Sequence, residues 1–397
     1  MEIDKKFIKC EYSIQDLEQF RDEKGFIDLS AAGVNLTEES REIIGNPNRI
    51  KNWVNFNGKK ALIKGEAILD EEQNYGIYAE LIVEEMAKCV GQKAAHYDLI
   101  KMQNDDGNTI LGVLSESVID LEKGEQLVNL YDIIGDEPEQ ERDFIDTTTY
   151  EFTITELRKN LLHDGYTQEQ VENVINDYNK RLAFIMAVID TDKYPENIAF
   201  IKRKNNGKDE IEISPNIDSE SALLLDNEIT VIKKLLDNYY VLKESVNRAH
   251  PRIGTIKSVE EDGFNSFWMD SLEELCEDDE VYYYCSDVLR EQIDMDSIFE
   301  KVEKRIKAKL PEEVKLIAKY SYNCRNEDMV KVIDGEIEQQ NSNLLDKNTI
   351  LDALISRGVK QEKIRANELI NMEMNLENNL LINPFINMDR TIQEERI

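Results

Sequence analysis

The 397-residue chain is short of histidine, cysteine and positive charge, and each shortage removes a class of function. Only three histidines occur, His96, His163 and His250, too dispersed for a histidine-rich metal site. The five cysteines, Cys10, Cys89, Cys276, Cys285 and Cys324, are scattered, odd in number and nowhere spaced Cys-x-x-Cys. They suggest neither a disulfide framework nor a zinc site, and a reducing, cytoplasmic setting is expected. Lys and Arg number 48 against 82 Asp and Glu, a net charge of −34. That balance opposes non-specific nucleic-acid binding, which rests on phosphate neutralisation by cations. No direct nucleic-acid contact is expected, and a macromolecular partner should be basic or engage a local patch. No apolar run is long enough to span a bilayer, and no basic-then-apolar leader opens the chain, so no membrane partner is expected.

The length suffices for two core-bearing lobes. The stretch 183–218 carries the most chemistry. The apolar run Phe184–Ile189 turns abruptly into Asp190-Thr191-Asp192-Lys193-Tyr194-Pro195-Glu196-Asn197. A strand at Ile198–Ile201, a turn with Asn205-Asn206-Gly207 at its tip and a return strand at Ile211–Ile213 predict a hairpin. Such a hairpin brings Asn197, at its entry, near Asp218, just past its exit. The separation of Asp192 and Asn197 is that of a protein-kinase catalytic loop, where the aspartate orients a hydroxyl and the asparagine binds Mg²⁺. Asp218 would add the hard carboxylate oxygen that Mg²⁺ prefers. Taken alone, the same spacing fits a solvated loop in an acidic chain. Upstream, Thr167-x-x-Gln170 is a capping-box pattern. It opens a helix whose apolar residues, Val171 to Ile185, bury one face and lead into the Asp192 loop.

Toward the amino end, residues 1–44 read as an extension, with a short helix opened by Thr37. Gly45 to Lys51, including Arg49, is turn-rich and locally basic, and reads as a phosphate-covering loop. Asn57-Gly58 marks a tight hairpin turn into a strand, Lys60–Gly65, that carries Lys64. A lone strand lysine also fits a surface hairpin. Tyr75–Val90 has helical apolar periodicity and ends at Gly91. Glu80 lies on the side of Val83 and Ala87, so its carboxylate needs a cation, for which Lys64 is the candidate. Glu84, one turn later, is the competing partner, and Glu85 points elsewhere. Two further strands, Tyr97–Met102 and Thr109–Leu114, run into Ser115, Glu116 and Ser117, where an interlobe hinge would offer backbone groups to adenine.

Lys64, Glu80, the Thr191-Asp192…Asn197 loop and Ser214-Pro215-Asn216-Ile217-Asp218 occur in the order of the HipA-like serine/threonine kinases. The chain resembles this bacterial family, which includes persistence toxins, over about Gly45–Asn227 and more loosely to about Ile333. The resemblance implies a bilobal protein-kinase-like α+β fold, with a small β-rich N-lobe and a larger, mostly helical C-lobe. It further implies ATP and Mg²⁺ as cofactors, Asp192 as the catalytic aspartate, Asn197 and Asp218 as metal ligands, and Lys64 as the phosphate lysine. Two departures stand out. Tyr194 occupies the place of the family's histidine, three residues before the asparagine, and Gly45–Gly58 contains no serine, so regulation by phosphorylation of that loop does not carry over.

The C-terminal half adds helices but no chemistry. Glu228–Lys243, Ser297–Leu310 and Glu312–Tyr322 are expected helices, and the aromatic clusters around Phe264–Trp268 and Tyr282–Tyr284 fit core packing. The expected divisions are 1–44, an N-lobe at 45–118, a helical C-lobe at 119–334, and an asparagine- and glutamine-rich helical appendage at 335–397. The functional expectation is a kinase acting on a protein hydroxyl, with an antitoxin or regulatory partner as a further possibility of the family. The alternatives are a pseudokinase or nucleotide-binding regulatory module, and an acidic inhibitor acting by charge mimicry.

Overall fold

Asn57 and Gly58, with φ of 48° and 95°, reverse the chain through a two-residue turn of the kind that matches strand twist. The computed structural model describes residues 8–34, 49–67, 75–103, 107–135, 148–205, 207–249, 251, 253–255 and 267–333. The turn joins β3 to β4 in a sheet whose strands are, in chain order, β1 (Ile8–Cys10), β2 (Ile27–Asp28), β3 (Arg49–Phe56), β4 (Lys59–Ala67), β5 (Tyr97–Gln103) and β6 (Thr109–Glu116). Their spatial order is β1-β3-β4-β6-β5-β2. Pairing is antiparallel among β3, β4, β6 and β5, whereas β1 and β2 add to the two edges in parallel. Period-two alternation gives the sheet two apolar faces. Val54, Phe56, Ala61, Ile63, Ile100, Met102 and Leu114 face Leu17, Leu29 and Val34 in one core. Tyr97, Leu99 and Val113 belong to a second, larger core that includes helix α1 (Gly76–Cys89). β4 and β6 approach closely where Gly65 faces Gly112, and a Cβ on Gly112 would stand 2.0 Å from the Lys64 carbonyl oxygen. Any side chain there would displace the strand that carries Lys64.

The amino-terminal residues are therefore not an appended extension, as far as they are described. Residues 8–34 supply both edge strands and the apolar cover that the outer sheet face requires. The proposed helix at Thr37, residues Gly45 to Asn48 of the basic loop, and the appendage at 335–397 lie outside the described residues.

The second lobe begins with β7 (Gln126–Asn129), α2 (Leu130–Ile134), β8 (Thr148–Thr149), α3 (Tyr150–His163) and α4 (Gln168–Ala187). The expected capping box at Thr167 and Gln170 is present, with Thr167 accepting from Gln170 N–H at 3.2 Å and Gln170 accepting from Thr167 N–H at 2.9 Å. β9 (Ala199–Asn205) and β10 (Lys208–Ile213) form the expected hairpin and, with β7, a three-stranded sheet in the order β10-β9-β7. Then come α5 (Ile229–Asp237), α6 (Tyr239–Arg248), β11 (Ile253–Thr255), α7 (Phe267–Leu275), α8 (Asp279–Tyr283), α9 (Arg290–Gln292), α10 (Met295–Ile306) and α11 (Glu312–Ile333). The single helix expected over Glu228–Lys243 is two. Asn238, extended at φ −137° and ψ 99°, caps α6 by accepting from the N–H groups of Tyr240 and Val241. Among the described residues no helix is long and apolar enough to cross a membrane.

The two lobes meet across α1 and α10. Arg305 Nη1 lies 2.8 Å from Glu84 Oε2 and 2.9 Å from Glu85 Oε1, and Glu84 also contacts His96 Nδ1 at 2.8 Å and accepts from Tyr97 N–H at 3.1 Å. Burial favours the neutral form of Glu84, but His96, Arg305 and Lys88 hold its carboxyl down at about 2. A carboxyl depressed on folding stabilises the protein above its unfolded value, and that contribution is lost as pH falls toward the folded value. Urea unfolding should therefore show stability falling as pH is lowered from about 4.3, the usual glutamate value, toward 2. Glu84→Gln should flatten that slope, and an unchanged slope would remove Glu84 as its source.

Candidate active site

Three separate segments bring charged side chains to one place. β4 supplies Lys64, α1 supplies Glu80, and the stretch after β10 supplies Asp218. Lys64 Nζ lies 3.0 Å from Glu80 Oε1, donates to Asp218 Oδ1, and stands 3.9 Å from Glu220 Oε2. The expected pairing of Lys64 with Glu80 is thus present, while the competing Glu84 is engaged with Arg305, His96 and Lys88. Glu80 is buried, and its second oxygen accepts the Ser219 N–H at 2.8 Å. The same carboxylate therefore orients both the lysine and the segment that bears Asp218.

That segment is held on several sides. Asn216 donates its N–H to Lys93 O and accepts from Ala95 N–H, both at 2.8 Å, which ties it to the approach to β5. Asp218 donates its N–H to Tyr97 Oη at 3.0 Å. Arg181, buried on α4, donates from Nη2 to the carbonyl oxygens of Lys93 and Ser214, each at 3.2 Å. Asp218 itself has φ 59°, the left-handed region that a side chain with a Cβ rarely adopts.

The electrostatics follow from burial in opposition to pairing. Burial alone would lower the Lys64 ammonium, yet Glu80, Asp218 and Glu220 outweigh it and raise it well above the ordinary value. Burial raises Glu80 despite the attraction of Lys64. Partial burial would raise the half-buried Asp218 as well, but Lys64, Lys193 and, less strongly, Lys51 hold its carboxyl down at about 2. Two carboxylates sharing one ammonium are driven apart in this way.

The catalytic-loop candidates lie where α4 ends. Asn197 donates Nδ2–H to the Asp192 carbonyl oxygen at 2.7 Å, which fixes its amide and leaves Oδ1 as the atom it presents. The half-buried Asp192 shares this short turn. Three charged neighbours escaped sequence reasoning. Lys193 is fully buried, donates to the carbonyl oxygens of Ile217 and Asp218, and lies 3.2 Å from Asp190 Oδ2, also fully buried. Glu220 is the third. Its spacing, two residues past Asp218, was the only signal available.

The expected nucleotide-contacting residues are placed less simply. Gly45 lies outside the described residues, and Arg49 begins β3. Lys51 is a strand residue directly opposite Lys64, because β3 pairs with β4 from Arg49 onward. The phosphate loop expected to run through Lys51 thus gives way to strand at Arg49. Ser115 and Glu116 still belong to β6, and Ser117 donates its N–H to Lys60 O at 3.0 Å. The sheet therefore continues two residues beyond the exit expected at Leu114, since β4 extends alongside it. Among the described residues, Glu80, Asp218 and Glu220 each offer a carboxylate oxygen, all within 4.8 Å of one another. Hard oxygen donors of this kind suit Mg²⁺.

No protein-family model matches the chain, and no curated protein matches it. Among solved structures it is similar to the Helicobacter pylori proinflammatory kinase CtkA, at 15% identity and a TM-score of 0.53, covering 75% of this chain and 95% of that one. Lesser likenesses are to the Shewanella oneidensis MR-1 toxin–antitoxin complex of HipA, HipB and operator DNA (13% identity, TM-score 0.40, covering 74% and 68%) and to the Golgi casein kinase with Mn/ADP bound (8%, 0.37, covering 83% and 76%). At 15% identity the first likeness is one of fold alone. The chain has the bilobal, kinase-like α+β fold of the first of these structures.

Proposed function

We propose that this chain is an ATP- and Mg²⁺-dependent serine/threonine protein kinase of HipA-like type. The observation that carries the reading is the Lys64 ammonium held between the carboxylates of Glu80 and Asp218, with the Asp192–Asn197 loop on an adjoining turn. Mg²⁺-bound ATP would supply the transferable phosphoryl group and the cation that neutralises it. Asn197 Oδ1 and the Asp218 carboxylate would hold the metal, and Lys64, positioned by Glu80, would bind phosphate oxygen. Asp192 orients the substrate hydroxyl and takes its proton. Positioning and fixed charge supply the catalysis. The substrate is a protein hydroxyl, and the acidic composition favours a basic sequence around it; an antitoxin or other regulatory protein is a second class of partner. A cytoplasmic setting fits the unpaired, scattered cysteines.

The test is transfer of labelled γ-phosphate from ATP to a generic basic protein and to the chain itself. Asp192→Ala should lower transfer about 10³-fold, within the span attributed to a positioned acid or base, while nucleotide binding persists. Full transfer by the variant would refute the role of Asp192. Mg²⁺-dependent binding without transfer in the unaltered protein would favour a nucleotide-binding regulatory module instead, and absence of binding would sink the kinase reading.

A further inference from the structure

Lys193 follows Asp192 directly, yet no part of it is exposed. An ammonium has three donors and no acceptor, and removing it from water is costly unless each donor is matched. Here two donors and a counter-charge meet it: Nζ donates to the carbonyl oxygens of Ile217 and Asp218 and lies in ion-pair contact, 3.2 Å, with Asp190 Oδ2. Both carbonyls belong to the segment carrying the metal-binding candidate. Asp218 lies in the left-handed region, which disfavours a residue with a Cβ by roughly 1–2 kcal/mol. Its carbonyl is fixed by Lys193, its N–H by Tyr97, and the next N–H by Glu80.

We propose that Lys193 is a positioning residue that couples the catalytic loop to the backbone of the metal-binding segment. It holds Asp218 in its left-handed conformation with the carboxylate toward Lys64, and Asp190 is the counter-charge that keeps the ammonium in place. The proposal rests on reading Asp218 as a metal ligand and Asp192 as the residue that orients the hydroxyl. Its consequence is mechanical: with the side chain adjoining Asp192 anchored on the Asp218 carbonyl, the two catalytic carboxylates keep a fixed separation. Lys193, being buried, acts through Asp218 and not on the phosphates.

Lys193→Met alone would strand the Asp190 carboxylate in the interior, so the informative variant is the double replacement Asp190→Asn with Lys193→Met. It removes both charges at similar volume. Three quantities are measured: kcat against KM for ATP, the Mg²⁺ concentration at half-maximal transfer, and amide hydrogen exchange. In the folded double variant kcat should fall about 100-fold, as for a small misplacement of reacting groups. The half-saturating Mg²⁺ should rise about tenfold, as when a partner that orients a metal ligand is lost. KM for ATP at saturating Mg²⁺ should change little, and exchange should accelerate at Asp218 and Ser219 without a general rise. A purely structural role predicts a lower melting temperature with none of these selective changes. A folded variant with unaltered Mg²⁺ dependence and unaltered exchange at Asp218 and Ser219 overturns the proposal. Should the double variant not fold, Lys193→Arg carries the same measurements, because a planar guanidinium cannot reproduce the converging contacts of the ammonium with two carbonyls and Asp190. If the unaltered protein neither transfers phosphate nor binds Mg²⁺-nucleotide, it is the kinase reading that fails. Exchange at Asp218 and Ser219 then decides the coupling by itself.

Discussion

On the proposed kinase reading, Asp218→Asn is expected to lower phosphotransfer by about three orders of magnitude and to raise the Mg²⁺ requirement at least about tenfold, since one change removes the proposed metal ligand and the charge opposite Lys64. The replacement keeps the shape and the backbone contacts to Tyr97 and Lys193, so the loss measures charge. With the Asp218 carboxyl held at about 2, the residue stays ionised across the whole pH range in which the proposed transfer would be assayed. Sign matters here. A depressed carboxyl is lost as a ligand only when pH falls through the folded value, so Asp218 contributes no limb to a pH–rate profile above pH 4. Glu220→Gln, removing the more distant carboxylate, should have a smaller effect on the same two readouts. Transfer and Mg²⁺ dependence unchanged in Asp218→Asn would take Asp218 out of the metal site and leave Lys64–Glu80 as an ordinary buried ion pair.

The largest loss of stability is expected from Trp268→Ala, about 3–5 kcal/mol by comparison with other buried aromatic truncations. Trp268, on α7, is almost completely buried, and its indole N–H donates to Asn247 O at 3.1 Å. The guanidinium of Arg325, on α11, stacks 3.8 Å from its ring centroid and donates to the carbonyl oxygens of Val246 and Ala249 at the end of α6. Burial lowers Arg325 to about 9, against the pull of Asp328. Removing the indole would open a cavity against a buried cation, two destabilising effects at one position. Urea unfolding should show a lower midpoint, partly restored in Trp268→Phe. A loss under about 1 kcal/mol would show that α6, α7 and α11 can close over the gap.

Much of the active-site candidate was legible because its signals are local. Glu80 could be assigned to the buried side of α1 from Val83 and Ala87, and the nearest strand lysine was then its natural partner. Asn57-Gly58 and the Thr167–Gln170 box declared their geometry within four residues, since turn and cap hydrogen bonds close over that distance. What escaped depends on contacts distant in sequence. β1 and β2 have three and two residues, too few to show alternation, and exist because β3 and β5 offer them an edge. The partners of Lys193 are backbone carbonyls more than twenty residues away, and carbonyls leave no mark in a sequence. Asn238 ended one helix and capped the next, a choice that apolar spacing on either side concealed. Ser115 and Glu116 read as polar and therefore as an exit, whereas pairing with β4, and for Ser115 with β5 as well, keeps them in the sheet.

The two short parallel edge strands have a bearing on how the protein should be handled. Removing residues 8–34 to shorten the small lobe would expose β3 and β5, eight and seven residues long, as new sheet margins. Open margins of that length invite strands from neighbouring molecules. A shortened chain would therefore tend to precipitate or assemble through its small lobe, and poor recovery of such a product would reflect its bared rims and not damage to the Lys64–Glu80–Asp218 cluster.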